Sequence, residues 1–149
     1  MKKRIWVIPE EKERMFSIFN IIFISYGCLI NDTDSVLKSG IFHELGHINN
    51  FKKLLLLIIS LSILFVMTSI ITPIIFCPIV FVIMYLFTCW ICRISELVAD
   101  QYMHKHVGYV LSFEFFDSLE DCNPVFYLLR WHPSVSKRKK QIRRLMKNY

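Results

Sequence analysis

From residue 54 to residue 92 the chain has no charged side chain, a gap of 39 positions in a protein of 149. A helix standing in water needs a polar face, so the gap excludes a solvated surface helix for this segment. Internal repeats and low-complexity linkers are also missing, which argues against a solenoid or tethered domains. The apolar run of residues 5–8 is too short for the core of a signal peptide, and Glu10, Glu11, Lys12, Glu13 and Arg14 follow it. No cleaved leader is therefore expected. Cysteine is present but odd in number: Cys28, Cys77, Cys89, Cys92 and Cys122. Three of the five fall in the uncharged gap, and structural disulfides are not expected. Cys89-x-x-Cys92 is half of a metal knuckle at the end of an apolar helix and reads as small apolar filling.

What is present in the gap is hydrocarbon. Apolar residues make up 54% of the chain and the mean hydropathy is +0.45, above the range of ordinary soluble domains. As one helix the gap would be about 58 Å long, against a hydrocarbon core of about 30 Å. Pro73 and Pro78 punctuate it near the middle. The expectation is two membrane helices, residues 54–72 and 79–92, joined by a turn over residues 73–78. The turn carries no charge, so the hairpin either crosses fully or re-enters. Lys52 and Lys53 before it, Arg93 after it and Lys2, Lys3 and Arg4 at the start put both ends on the cytoplasmic side of the cell membrane.

The chemistry lies just before the gap, in His43-Glu44-Leu45-Gly46-His47. This run fits HExxH. Residues i and i+4 sit one above the other on a helix, so His43 and His47 offer two imidazoles to one metal ion. Glu44 is placed to hold the water such a metal activates. Asp32, Thr33 and Asp34 are all N-cap candidates upstream. Val36, Leu37, Ile41, Leu45 and Ile48 then recur at helical spacing, which predicts a buried stripe. Gly40 and Gly46 cost helix propensity; beside the second histidine, Gly46 would let another segment approach closely.

A hydrolytic zinc site needs three protein ligands and one open position. An even number of crossings returns residue 93 to the side of His47, and an antiparallel hairpin sets it beside residue 53. The segment delivered there contains Glu96 and Asp100, four apart on one helix face. Glu96 is the expected third ligand. Asp100, one turn on, is placed to hold the second nitrogen of a ligating histidine. His104 and His106, two apart, point to different faces and read as surface residues.

Together, Phe42-His43-Glu44-Leu45-Gly46-His47-Ile48, an apolar hairpin, Glu96-Leu97-Val98-Ala99-Asp100, and His132-Pro133-Ser134 followed by Lys137-Arg138 resemble the HtpX and CAAX-prenyl-protease family of membrane metallopeptidases. The resemblance extends over roughly residues 16–147. It implies a mainly α, zincin-like (gluzincin) fold with a two-helix transmembrane hairpin and a small N-terminal β element. It also implies one Zn2+ held by His43, His47 and Glu96, with Glu44 as general base, Asp100 orienting a ligand histidine and the site facing the cytoplasm. His132 would either stabilise the oxyanion or hold the fold. The family's substrate-pairing strand corresponds at most to the region of Phe19-Asn20. Only 42 residues precede His43, where the family carries further membrane helices, so the expectation is a minimal peptidase or one that works with a partner subunit. The expected substrate is an extended peptide or protein presented at the membrane face. The competing expectation is a catalytically inactive membrane zinc protein, a scaffold or sensor, with His132 as a fourth ligand.

The chain divides on this reading into an N-terminal β segment (1–32), the HExxH helix (33–53), the hairpin (54–92) and a cytoplasmic helical part with a basic tail (93–149). Residues 16–24 read as a buried strand, or two short ones around Tyr26-Gly27, with a short third membrane pass as the alternative. Seven of the eighteen positive charges are Lys137, Arg138, Lys139, Lys140, Arg143, Arg144 and Lys147. With Val135, Ile142, Leu145 or Met146, and Tyr149 spaced near 3.5 residues, they predict a basic amphipathic helix. It lies either against anionic lipid headgroups or docked on the protein with a solvated charged face. Nucleic acid is not an expected partner, because neither interleaved aromatics nor a known module accompanies the charge.

Overall fold

The computed structural model describes residues 3–71, 77–119 and 132–147. The expected 73–78 turn lies mostly outside these, as do Cys122, Trp131 and Tyr149. Three strands open the chain: β1 (Arg4–Ile8), β2 (Met15–Ile18) and β3 (Ile21–Ser25). They form one sheet in the order β1-β3-β2, with β1 parallel and β2 antiparallel to β3. β1 was not foreseen from the sequence. The break expected at Tyr26-Gly27 falls instead at Phe19-Asn20, where Phe19 takes a left-handed φ of 53°. Its ring packs edge-on against Phe51, 5.3 Å away. Tyr26 instead starts a short helix, α1 (Tyr26–Asn31), whose Cys28 N–H donates to the Ser25 hydroxyl at its N-cap.

Two long helices follow, α2 (Asp34–Ile71) and α3 (Cys77–Ser118), and a short one, α4 (Val135–Met146), closes the chain. Of the three N-cap candidates, Thr33 accepts from the Val36 N–H, at 3.4 Å. The divisions expected after residues 53 and 92 fall inside α2 and α3. HExxH helix and first membrane segment are one rod, because no proline or cap interrupts residues 34–71. Both rods are long and apolar enough to cross a membrane. In α2, none of the most apolar 18-residue window is buried, and in α3 only 11% of it is. A core helix of a soluble protein would be covered there.

Two apolar clusters clamp the site end of the rods. Ile22 and Ile24 of β3, with Cys28, meet Leu37, Ile41, Leu45 and Ile48, four of the five residues of the stripe expected on α2; Val36 is not part of this cluster. Met103, Phe116 and Ile142 form the second cluster, joined by Phe42, Val135 and Leu145. The apolar face of α4 is docked on the protein: Ile142 is fully buried. α3 breaks at Gly108, with φ 82° and ψ −178°. That conformation belongs essentially to glycine, and a Cβ there would meet nothing, so the requirement is conformational rather than steric. The break returns Phe115 and Phe116 towards α2, where Phe115 lies 5.7 Å from the His43 ring.

Candidate metal centre

The site is assembled by α2 facing α3, and Gly46 sets their separation. A Cβ on Gly46 would stand 2.7 Å from Ala99 Cα and 3.0 Å from its carbonyl oxygen, so a side chain there would push the rods apart. Across this contact His43 and His47 meet Glu96. His43 Nε2 and His47 Nε2 are 3.1 Å apart. Glu96 Oε2 is 3.4 Å from the first and Glu96 Oε1 is 3.3 Å from the second. Ligand atoms of all three lie within 4.8 Å of one another. A tetrahedron with metal–ligand bonds of about 2.0–2.1 Å has edges of about 3.3 Å. The individual separations are of that size, the two histidines meeting different oxygens of Glu96, and two imidazoles with one carboxylate are a donor set that suits zinc.

The second nitrogens are held as well. His43 Nδ1 is 3.0 Å from Asp100 Oδ1, and His47 Nδ1 is 3.3 Å from the Ser95 hydroxyl. Carboxylate acceptance at Nδ1 turns the lone pair of Nε2 towards the cluster. Asp100, fully buried, is itself gripped by Arg138 of α4. Arg138 Nε donates to Asp100 Oδ2 at 2.7 Å and Nη2 to Oδ1 at 2.5 Å. The guanidinium lies over the Phe116 ring. Its 3.5 Å approach to His43 Nδ1 is that of two donors sharing one oxygen of Asp100.

Charge also favours a cation here. Glu44, Glu96 and Asp100 are buried carboxylates, and Arg138 is the buried guanidinium beside them. Two negative charges remain, the complement of a divalent ion. The histidines register this field. Burial opposes a charge on His43, yet hydrogen bonds to Asp100 and Glu96 outweigh it and push its pKa up to about 9. Burial would likewise raise Glu96, but hydrogen bonds from His132, His43 and His47 hold it well below the usual carboxylate range.

Glu44 accepts a 2.7 Å hydrogen bond at Oε2 from the Ser17 hydroxyl of β2. His132, with its side chain 68% exposed, meets the cluster through Glu96, 3.2 Å away, and that hydrogen bond draws its pKa upward. A cavity of about 330 Å3 opens on Glu44, His43, Glu96, His132 and Arg138. Every residue singled out in the sequence for this chemistry thus stands around one point. His104 and His106 lie apart from the cluster, His106 stacked on Phe42.

Three residues of the site were not found in the sequence. Arg138 carried a signal: it occupies a position on the Val135, Ile142, Leu145 face of α4, where a charge in an apolar stripe asks for a buried partner. Ser95 was adjacent to a named ligand. Nothing in the sequence marked Ser17, which reaches Glu44 only through the pairing of a distant strand.

No protein-family model matches the chain. No curated protein matches it either. A solved structure does: the crystal structure of S. mikatae Ste24p, with a TM-score of 0.60 and 17% sequence identity. The fold is similar to that of part of Ste24p. The match covers 93% of this chain but 44% of that one, so the chain spans less than half the length of Ste24p.

Proposed function

We propose that this protein is a membrane-bound zinc endopeptidase. The observation that carries the reading is the convergence of His43, His47 and Glu96, with ligand atoms within 4.8 Å of one another, and the Glu44 carboxylate lining the same cavity. The fold shared with Ste24p agrees with the motif resemblance to CAAX-prenyl proteases and supports the same conclusion. Zinc bound by His43, His47 and Glu96 would supply an acidified water and polarisation of the scissile carbonyl. Glu44 takes the proton of the attacking water and passes it to the leaving amine. The Ser17 hydroxyl fixes the rotamer of Glu44 for both transfers. His132, which lines the cavity beside Glu96, faces the developing oxyanion. Asp100 and Arg138 hold His43 in the tautomer that binds metal.

Substrate enters as an extended chain. β2 is an edge strand, and among the described residues it pairs only with β3. A peptide added along its other edge would lie beside Ser17 and Glu44. The substrate is therefore a peptide or protein segment in extended form, offered at the membrane face.

The test is zinc content and cleavage on the same detergent-purified samples. Wild type and Glu44→Gln are expected to hold one zinc per chain, while Glu96→Ala holds none. Glu44→Gln should lose cleavage by about 10²–10⁴-fold. A wild type that holds stoichiometric zinc and cleaves no extended peptide in a broad library would overturn the peptidase reading in favour of a zinc scaffold or sensor.

A further inference from the structure

The basic residues of α4 face more than one way. Arg138 pairs with Asp100. Lys139 meets Asp117, and Arg143 lies over the Phe113 ring. Lys137, Lys140 and Arg144 follow a different geometry. At i, i+3 and i+7 they share one helix face, and that face forms one wall of a groove of about 820 Å3. Ile94, Leu97 and Val98 of α3 form the other wall. The Gln141 side chain donates to the Leu97 carbonyl at 3.0 Å and ties the two walls together. Among the described residues, no carboxylate lines this groove.

Its place on the rod is equally informative. Arg93 is the first charge after the uncharged gap, and Ile94 comes next, 40% exposed. Trp90, one turn earlier on the same face, is 52% exposed. The apolar wall therefore continues directly into the segment that suits a membrane, and an aromatic side chain marks the border as at lipid–water interfaces. A basic rim above an apolar wall at that level has the two halves of a phospholipid's chemistry. Inorganic phosphate or nucleic acid would use the rim and leave the wall bare.

We propose that the groove between α3 and α4 binds an anionic phospholipid, its headgroup on Lys140 and Arg144 and its acyl chains along Ile94, Leu97 and Trp90. The site stands independently of the peptidase reading. Lipid in it would brace α4, and through Arg138 the Asp100–His43 contact, against the membrane span.

The experiment uses the full chain in nanodiscs of phosphatidylcholine with one part in five phosphatidylglycerol. Lipid retained after release into detergent is counted by native mass spectrometry. Wild type is expected to keep phosphatidylglycerol in preference to phosphatidylcholine. Lys140→Gln with Arg144→Gln should lower that retention about tenfold, whereas Lys38→Gln with Lys105→Gln, the same charge removed elsewhere, should leave it unchanged. Equal retention of the two lipids by wild type overturns the proposal whether or not the variants fold. So does an equal loss in the control pair, or displacement of the lipid by millimolar inorganic phosphate.

Discussion

α2 and α3 each have two unlike ends. At one end they bury charge: His43, Glu44, Glu96 and Asp100, with Arg138 inserted from α4, are all less than a tenth exposed. At the other end they expose hydrocarbon: Ile63, Leu64, Val66 and Phe81 stand more than half bare. The same two rods thus obey opposite rules a few turns apart. Buried charge is tolerable only where each group has a partner, and each one here does. Exposed hydrocarbon on this scale is tolerable only where the solvent is itself apolar. The site end is therefore stabilised by specific pairs, and the span end by its surroundings.

The sharpest way to break that contrast is Arg138→Met. It leaves Asp100 buried with only the His43 partner, and a broken buried pair costs about 3–5 kcal/mol. The surviving His43 contact places the expected loss at about 3 kcal/mol, read by denaturant unfolding in detergent. Adding Asp100→Asn to Arg138→Met removes the stranded charge and should recover part of the loss. A double variant no more stable than the single one would show that the pair is not the source of the stability.

The same contrast explains what the sequence disclosed. The span end was legible because its signal is a bulk property: 39 positions without charge need no knowledge of contacts. His43, Glu44 and His47 were legible because one helix fixes their spacing. Glu96 and Asp100 required the hairpin to return them, a topological step that two proline-bounded spans allowed. Helix continuity across residue 53 was not legible, since a change of solvent along a rod looks like a boundary in composition while the backbone does not notice it. β1 and the role of Ser17 were hidden for another reason. Strand pairing joins residues far apart in the chain, and residues 4–8 carry no alternation of buried and exposed positions because their sheet face is open. Arg138 was counted with the surface charges of the tail, although its place in the apolar stripe of α4 told otherwise.

A second prediction separates the two histidines. His43 is 7% exposed and backed by a carboxylate, whereas His47 is 22% exposed and backed by a hydroxyl. Asp100→Asn should weaken zinc affinity by about 10–100-fold, the usual cost of losing a charged support behind a ligand. Ser95→Ala should weaken it only by about threefold, in keeping with one neutral, partly solvated hydrogen bond. Chelator competition at fixed pH measures both. Equal losses would mean that the Asp100–Arg138 pair holds the fold and not the ligand.

The smallest expected effect lies at the span end and tests its solvent directly. Truncating a large aliphatic residue in a protein core costs about 2–5 kcal/mol, because packing partners are lost and a cavity remains. Ile63 is 59% exposed on α2. Where lipid or detergent covers that face, Ile63→Ala leaves no cavity, since a fluid chain fills the space. The loss should stay within about 0.5 kcal/mol, as for surface substitutions elsewhere. Unfolding in detergent decides the matter. A loss of core size at Ile63 would mean that another polypeptide, not lipid, covers this face, and the span end would then have to be read by the same rule of specific partners as the site end.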